Sequence, residues 1–312
     1  MENQPLVTIG IFAYNESKNI SQTIASAVNQ TYKNIEIIIS DNASTDTTYQ
    51  IMQEYAKKDS RISIHRQSEN VGPKENGLYS LKHSNAEYFM FLGGHDIIAE
   101  DFIEKAIKVL LANHQIISVC PKTITLDEGK TSIEDVGDKL NTLNLSLKDR
   151  ILEICKKVSY GNNIYGLYKR KALENAFADI DGGDLLIILL AGFEGHFAYL
   201  EDSSYFFRTV RKPEKPKEQL ERYLEYGFSE NWEFQRVALP FLYVYKNQDI
   251  KSAKEKIKLV LDMQQILQRF YQFTWSDMIK HFFQKRQFQL SIYLTIISSI
   301  SLLRRAYKKI IK

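Results

Sequence analysis

Three aspartates stand where a side chain can do chemistry. Asp41 closes the apolar run Ile35–Asp41, and Asp96 follows the run Tyr88–Leu92 through Gly93-Gly94-His95. Asp184 precedes an apolar stretch, Leu185–Leu190. A carboxylate at the end of a buried strand can accept hydrogen bonds from a ligand or share an oxygen with a hard cation. A carboxylate at the head of a helix is favoured in its charged form by the helix dipole, which suits a general base. Asp181 is the neighbouring rival for that role, and a plain helix cap is the structural alternative. Other polar residues flank the first two aspartates: Tyr14 and Asn15 after the run from Val7, then Asn70, Lys74 and Asn76 around Gly72-Pro73.

The elements that must hold these residues alternate two periodicities. Val7–Tyr14, Ile35–Asp41, Ile62–Arg66 and Tyr88–Leu92 are short apolar, β-branched or aromatic runs that read as buried strands. Between them Ile20, Ile24 and Val28 trace one helical stripe, and Tyr49, Met52 and Ala56 another, with Asp46 in a capping position ahead of it. Strand and helix in alternation imply right-handed crossovers and a mostly parallel sheet covered on both faces. Such sheets bind ligands beyond the carboxyl ends of their strands, which is where the polar residues fall. Further along, the pattern predicts a helix over 101–113, a strand at Ile117–Cys120, a polar stretch, a helix over 145–160 and a strand-like run at Ser204–Val210. Beyond Arg211 it is almost wholly helical, after a boundary at Lys212-Pro213-Glu214-Lys215-Pro216.

Composition sets the outer bounds. With 312 residues, 44% of them hydrophobic and 25% charged, the chain is long and apolar enough for one large domain or two, without disulfides. Cys120 and Cys155 match no metal or redox spacing and read as buried thiols. The first residues lack a basic segment followed by an apolar core, so no signal peptide is expected and the expected location is cytoplasmic. The net charge of +3 is unevenly spread, because no acidic residue follows Asp277 while Lys280, Lys285, Arg286, Arg304, Arg305, Lys308, Lys309 and Lys312 all do. Those basic residues lie beside an apolar run rather than along a polar groove, which argues against nucleic acid.

The opening segment resembles a family 2 glycosyltransferase of the GT-A fold. Gln30, Thr31, Tyr32, Asn34 and Glu36 fit a turn typical of that family, and Asp41, Ser44 and Asp46 fit its aspartate-serine-aspartate signature. The likeness continues through Asn70-Val71-Gly72-Pro73, Asn76, the strand at Tyr88–Leu92, Tyr165–Lys169 and Asp184, covering roughly residues 5–210. It implies an α/β GT-A nucleotide-diphospho-sugar transferase fold, a Rossmann-like sheet between helices, over 1–212, and the helical pattern beyond the boundary sets off a C-terminal region over 213–312. It implies an inverting glycosyltransferase that takes a nucleotide-sugar donor. Asp184 then corresponds to the catalytic base. Asp41 corresponds to the residue that bonds the donor base or ribose, and Tyr14, Asn15, Asn70, Lys74, Asn76 and His95 to the donor surround. Tyr14 can instead be a packing aromatic and Lys74 a solvated surface lysine. Arg208 and Arg211 are further candidates for the diphosphate.

A divalent cation, Mn²⁺ or Mg²⁺, is also implied, with Asp96 as its ligand. Here the pattern departs from the family. The usual Asp-x-Asp reads Gly94-His95-Asp96, so one carboxylate is missing and His95 offers a nitrogen ligand, a phosphate hydrogen bond or no role at all. That gap motivates the alternative of a catalytically inactive relative that binds nucleotide or glycan. At the other end, Phe288–Leu303 is a mostly apolar run flanked by Lys285-Arg286 and Arg304-Arg305, shorter than the ~20 residues that span a bilayer. A helix lying on the inner face of the cell membrane fits it, as does a helix packed on the catalytic domain or a homo-oligomer contact. Membrane association would suit a glycan or lipid-linked acceptor in cell-surface polysaccharide synthesis.

Overall fold

The computed structural model describes residues 4–127, 130–135, 137–158, 161–177, 184–208, 244 and 247–267. The boundary at 212–216, the run Phe288–Leu303, Asp181 and Arg211 lie outside these residues.

The first four strands form where their apolar runs stand. β1 (Val7–Ala13), β2 (Ile35–Asp41), β3 (Ile62–Arg66) and β4 (Tyr88–Gly93) are joined by helices α1 (Ile20–Val28), α2 (Thr48–Lys58) and α3 (Gly72–His83). These strands run parallel in the order β3-β2-β1-β4. Two-residue alternation sorts their side chains to the two faces of the sheet. On β4, Tyr88, Met90 and Leu92 join Ile9 and Ile11 of β1 on the face that α1 and α2 cover with Ile20, Ile24 and Met52. Phe89 and Phe91 point the other way, onto Leu78 and Leu81 of α3.

The second half extends this sheet with mixed directions. After β5 (Ile97–Ile98) come α4 (Phe102–Ala112), β6 (Ile116–Asp127), β7 (Lys130–Asp135), α5 (Leu147–Lys157), a 3₁₀ turn (Asn162–Tyr165), β8 (Leu167–Lys169), α6 (Arg170–Phe177), α7 (Asp184–Glu194) and β9 (His196–Arg208). β8 lies antiparallel between β4 and β6, and β9 runs parallel to β6. The polar stretch after Cys120 is therefore a continuation of β6 that pairs back with β7. Its polarity hides the strand, because pairing along β6 and β9 replaces the apolar pattern as the organising force.

α4 joins the first face, while α5, α6 and α7 bury Ile151, Leu173, Leu186 and Ile188 on the second. α8 (Ala253–Leu267) adds Leu259, Val260 and Met263 to that second core. Cys120 and Cys155 are free and buried, and burial pushes both thiols up to about 12. Among the described residues no helix is long and apolar enough to cross a membrane.

Candidate active site

Register brings the polar strand ends together. Ala13 is paired with Asp41 and Phe12 with Gly93, so β1, β2 and β4 finish side by side on one edge of the sheet. Neighbouring strands stand about 4.8 Å apart, which puts Tyr14, Asn15, Asp41 and the turn after β4 within reach of one ligand. Tyr14 is 41% exposed, as a side chain bordering an open site can be.

The chain leaves β1 through a left-handed residue, Asn15 (φ 55°). Its side-chain oxygen accepts the Thr45 N–H at 2.8 Å, and its own N–H donates to Ser44 Oγ at 2.9 Å. Asp46 accepts the N–H groups of Thr48 and Ser17, so it braces this loop pair. Asn15 is thus a loop brace beside the site as well as a candidate for donor contact.

Asp41 is fully buried. Its Oδ2 lies 3.2 Å from Arg66 Nε at the end of β3 and accepts the Ser44 N–H at 3.2 Å. Its Oδ1 has no hydrogen-bond partner. A buried carboxylate oxygen without a donor is unfavourable by itself, and a ligand N–H or O–H would satisfy it. Arg66 is held in place by the Ser44 carbonyl at 2.7 Å and by the face of Tyr49.

The neighbouring loop is organised by Asn42, a strand-end residue outside the expected site residues. Its amide donates to Asn70 Oδ1 at 2.7 Å, and its own Oδ1 accepts the Val71 N–H at 2.9 Å. Asn70 also accepts the Gly72 N–H, which sets the start of α3, and its residue remains exposed. Lys74 in the first turn of α3 is half-buried. Asn76 is placed differently from the rest. It is buried, accepts from Ser40 Oγ at 2.7 Å and donates to the carbonyls of Ala13 and Ser40, so it ties β1 to β2 from beneath the site.

The turn after β4 departs most from expectation. Asp96 is fully buried, and both its oxygens are taken. Tyr205 of β9 donates its hydroxyl to Oδ2 at 2.6 Å, and the Arg208 N–H donates to Oδ1 at 2.8 Å. Burial pushes the Asp96 carboxyl above the usual carboxylate range, against the nearby His95 and these hydrogen bonds. Tyr205, buried and facing this carboxylate, is pushed well above the ordinary tyrosine value. The residue expected to meet a metal thus anchors the turn through these two bonds.

Gly94 has a steric reason. A Cβ there would stand 2.5 Å from the Ala13 Cβ and 3.0 Å from the Phe12 carbonyl oxygen, so no side chain fits while β1 and β4 stay paired. The half-buried side chain the turn offers is His95. Its Nδ1 pairs with Glu16 Oε1 at 2.8 Å, and its Nε2 lies 3.8 Å from Asp96 Oδ1. Arg208 closes the turn by donating to the His95 carbonyl at 2.7 Å and to Gln22 Oε1 at 2.8 Å. Neither Glu16 nor Tyr205 carries a local sequence signal for this role.

Asp184 heads α7 and is exposed. It packs over Gly161, whose φ of +74° suits glycine and where an added Cβ would come within 2.9 Å of the Asp184 Cβ. The Gly161 N–H donates to the buried Asp138 at 3.1 Å. The 3₁₀ turn begins one residue later and ends in Tyr165, whose ring stacks on Tyr205 at 4.8 Å. Asp184 thus packs over Gly161 ahead of the 3₁₀ turn, and the end of that turn, Tyr165, stacks on the Tyr205 that holds Asp96.

A mixed sheet between helices, with polar residues gathered at the ends of the parallel strands, places the chain among α/β proteins, whose ligands bind at that edge. The family profile of glycosyl transferase family 2 matches residues 8–177, more than half of the chain, and the chain belongs to that family.

An uncharacterized glycosyltransferase of Haemophilus influenzae is 34% identical over 116 residues, which are 37% of this chain and 46% of the relative. The UDP-Glc:alpha-D-GlcNAc-diphosphoundecaprenol beta-1,3-glucosyltransferase WfaP of Escherichia coli is 43% identical over 91 residues, 29% of this chain and 36% of the relative. The chain spans about half the length, or less, of these curated relatives. The crystal structure of Staphylococcus aureus TarS residues 1–349 in complex with UDP-GlcNAc has a TM-score of 0.62 and 17% identity, covering 85% of this chain and 73% of that one. At that identity the likeness shows a shared fold.

Family 2 enzymes generally use a divalent cation. The turn after β4 does not fit one. Its one carboxylate is buried with both oxygens engaged, its glycine excludes a second, and no cluster of three His, Cys, Asp or Glu side chains suited to a metal occurs among the described residues.

Proposed function

We propose that the chain is an inverting glycosyltransferase that binds a nucleotide-sugar donor across the ends of β1, β2 and β4. The observation that carries this reading is the unpaired Oδ1 of buried Asp41, in a family 2 chain, on the ligand-binding edge of the sheet. That oxygen would accept a base N–H or a ribose hydroxyl, with Tyr14 bordering the base and Asn70 and Lys74 on the α3 side. The diphosphate would then extend toward His95.

Asp184 is the proposed general base. It is exposed at a helix N-terminus, where the dipole favours the carboxylate, so it can take a proton from an acceptor hydroxyl. That oxygen would attack the anomeric carbon as the nucleoside diphosphate leaves, inverting the centre. By analogy with the lipid-linked acceptor in WfaP's name, the acceptor is proposed to be a glycan or lipid-linked sugar. The place of action would be the inner face of the cell membrane, in cell-surface polysaccharide synthesis. The catalytic unit is taken to span 1–212 and the helical region 213–312.

Asp41→Asn tests the donor site. Titration with UDP, GDP and dTDP should show about tenfold weaker binding of whichever nucleotide the protein takes, the scale of one lost charge-assisted hydrogen bond. Unchanged affinity would remove Asp41 from the donor site. Asp184→Asn should keep nucleotide binding and lose transfer. The altered turn after β4 supports a second reading, an inactive relative that binds nucleotide or glycan. Binding without transfer or hydrolysis of any sugar nucleotide in the wild-type chain would favour it.

A further inference from the structure

We infer that this chain holds the donor diphosphate without a protein-bound divalent cation, with the His95 ring standing where an ion-binding side chain would serve. The inference rests on the donor reading above.

Three observations at the turn carry it. A hard cation needs oxygen ligands at about 2.0–2.6 Å, and the only carboxylate of the turn already spends its oxygens on Tyr205 and the Arg208 N–H. Meeting an ion would require exposing a fully buried group. A carboxylate at position 94 is sterically shut out by Ala13 and Phe12. Another carboxylate beside the turn, Glu16, has Oε1 on the His95 ring and Oε2 3.3 Å from the Asn19 amide.

The same contacts make the turn rigid without a metal. Arg208 grips the His95 carbonyl and Gln22, Thr23 donates to the Gly94 carbonyl at 3.1 Å, and the Gly94 N–H donates to Phe12. In a site where an ion organises the turn, these hydrogen bonds would be its task. Here β9 and α1 supply them. The Glu16 carboxylate fixes the orientation of the His95 ring, as a partner carboxylate does for a working histidine. With Nδ1 donating to Glu16, the ring offers an oxyanion an N–H donor at Nε2 in its doubly protonated form.

The test is calorimetric titration of the full chain with UDP, GDP and dTDP, in chelator and again with Mn²⁺, with the matching nucleosides as controls. The expected result is the same nucleotide affinity in both conditions, within about twofold. His95→Ala should weaken the diphosphate by about tenfold and leave the nucleoside unchanged, with His95→Gln, which keeps an N–H donor, in between. A tenfold or greater gain on replacing chelator with Mn²⁺ would overturn the inference and leave the donor reading standing. Unchanged diphosphate affinity in His95→Ala would overturn the role of the ring. If no nucleoside diphosphate binds in either condition, the donor reading falls and the inference with it.

Discussion

The ends of β2 and β4 carry the same residue type under the same burial and satisfy it differently. Asp41 closes β2 and Asp96 follows β4, and both are fully buried. Asp96 accepts from a tyrosine hydroxyl and a backbone N–H, so its charge is consumed by the fold. Asp41 has one oxygen on Arg66 and Ser44 and the other on nothing. Burial and position on the sheet edge therefore do not distinguish the two aspartates. The distribution of donors does: two meet each carboxylate, one on each oxygen of Asp96 and both on the same oxygen of Asp41.

That contrast can be broken most severely at Asp96. Asp96→Ala strands the Tyr205 hydroxyl and the Arg208 N–H, and it should lower unfolding stability by about 2–4 kcal/mol in a denaturant titration. Asp96→Asn, which keeps an acceptor, should lose less. A stability close to wild type in Asp96→Ala would mean that the turn does not depend on this carboxylate.

Gly94→Ala probes the same end sterically. Its new Cβ must push Ala13 and Phe12 of β1 apart, at a loss of about 1–3 kcal/mol read as a lower melting temperature. At the β2 end the opposite sign is expected. Ala43 sits at φ 58°, a left-handed conformation that disfavours any residue with a Cβ. Ala43→Gly should therefore raise stability by about 0.5–1 kcal/mol, after allowing for the extra freedom of glycine in the unfolded chain. A melting temperature that falls would show the strain to be relieved some other way.

The smallest effect separates a partly exposed carboxylate from the two buried ones. The Ser203 hydroxyl beside Asp101, with Lys105, holds that carboxyl below the usual range. A depressed value means the ionised form is favoured by folding, so its contribution is present above the unfolded value and is lost as pH falls through the folded one. Ser203→Ala should remove about 0.5 kcal/mol at neutral pH, a screened surface-scale effect, and almost nothing under acid. Equal losses at both pH values would trace the effect to packing. Asp96 has the reverse sign: its raised value means that its proton uptake, as pH falls, favours the fold.

Much of the N-terminal half was legible because its signals are local. The strands at 35–41 and 62–66 coincide with apolar runs, and the stripe Ile20, Ile24, Val28 lies within α1. β1 ends one residue before the apolar run suggested, since the left-handed Asn15 turns the chain away. β7 and the distal part of β6 were not legible, because a polar strand is recognised by its partner rather than by its own composition.

By itself the sequence determined that three of the first four strands would end in polar residues on one edge, and that Asp41 would close one of them. Periodicity and strand-end chemistry are properties of neighbouring residues, and they survive without knowledge of the rest of the chain. Only the tertiary structure decided what Asp96 does. Its partners Tyr205 and Arg208 are 109 and 112 residues away in the chain, and they reach it because β9 runs beside β5. A carboxylate's role is set by which donors face it once the chain has folded, and that pairing has no local signature.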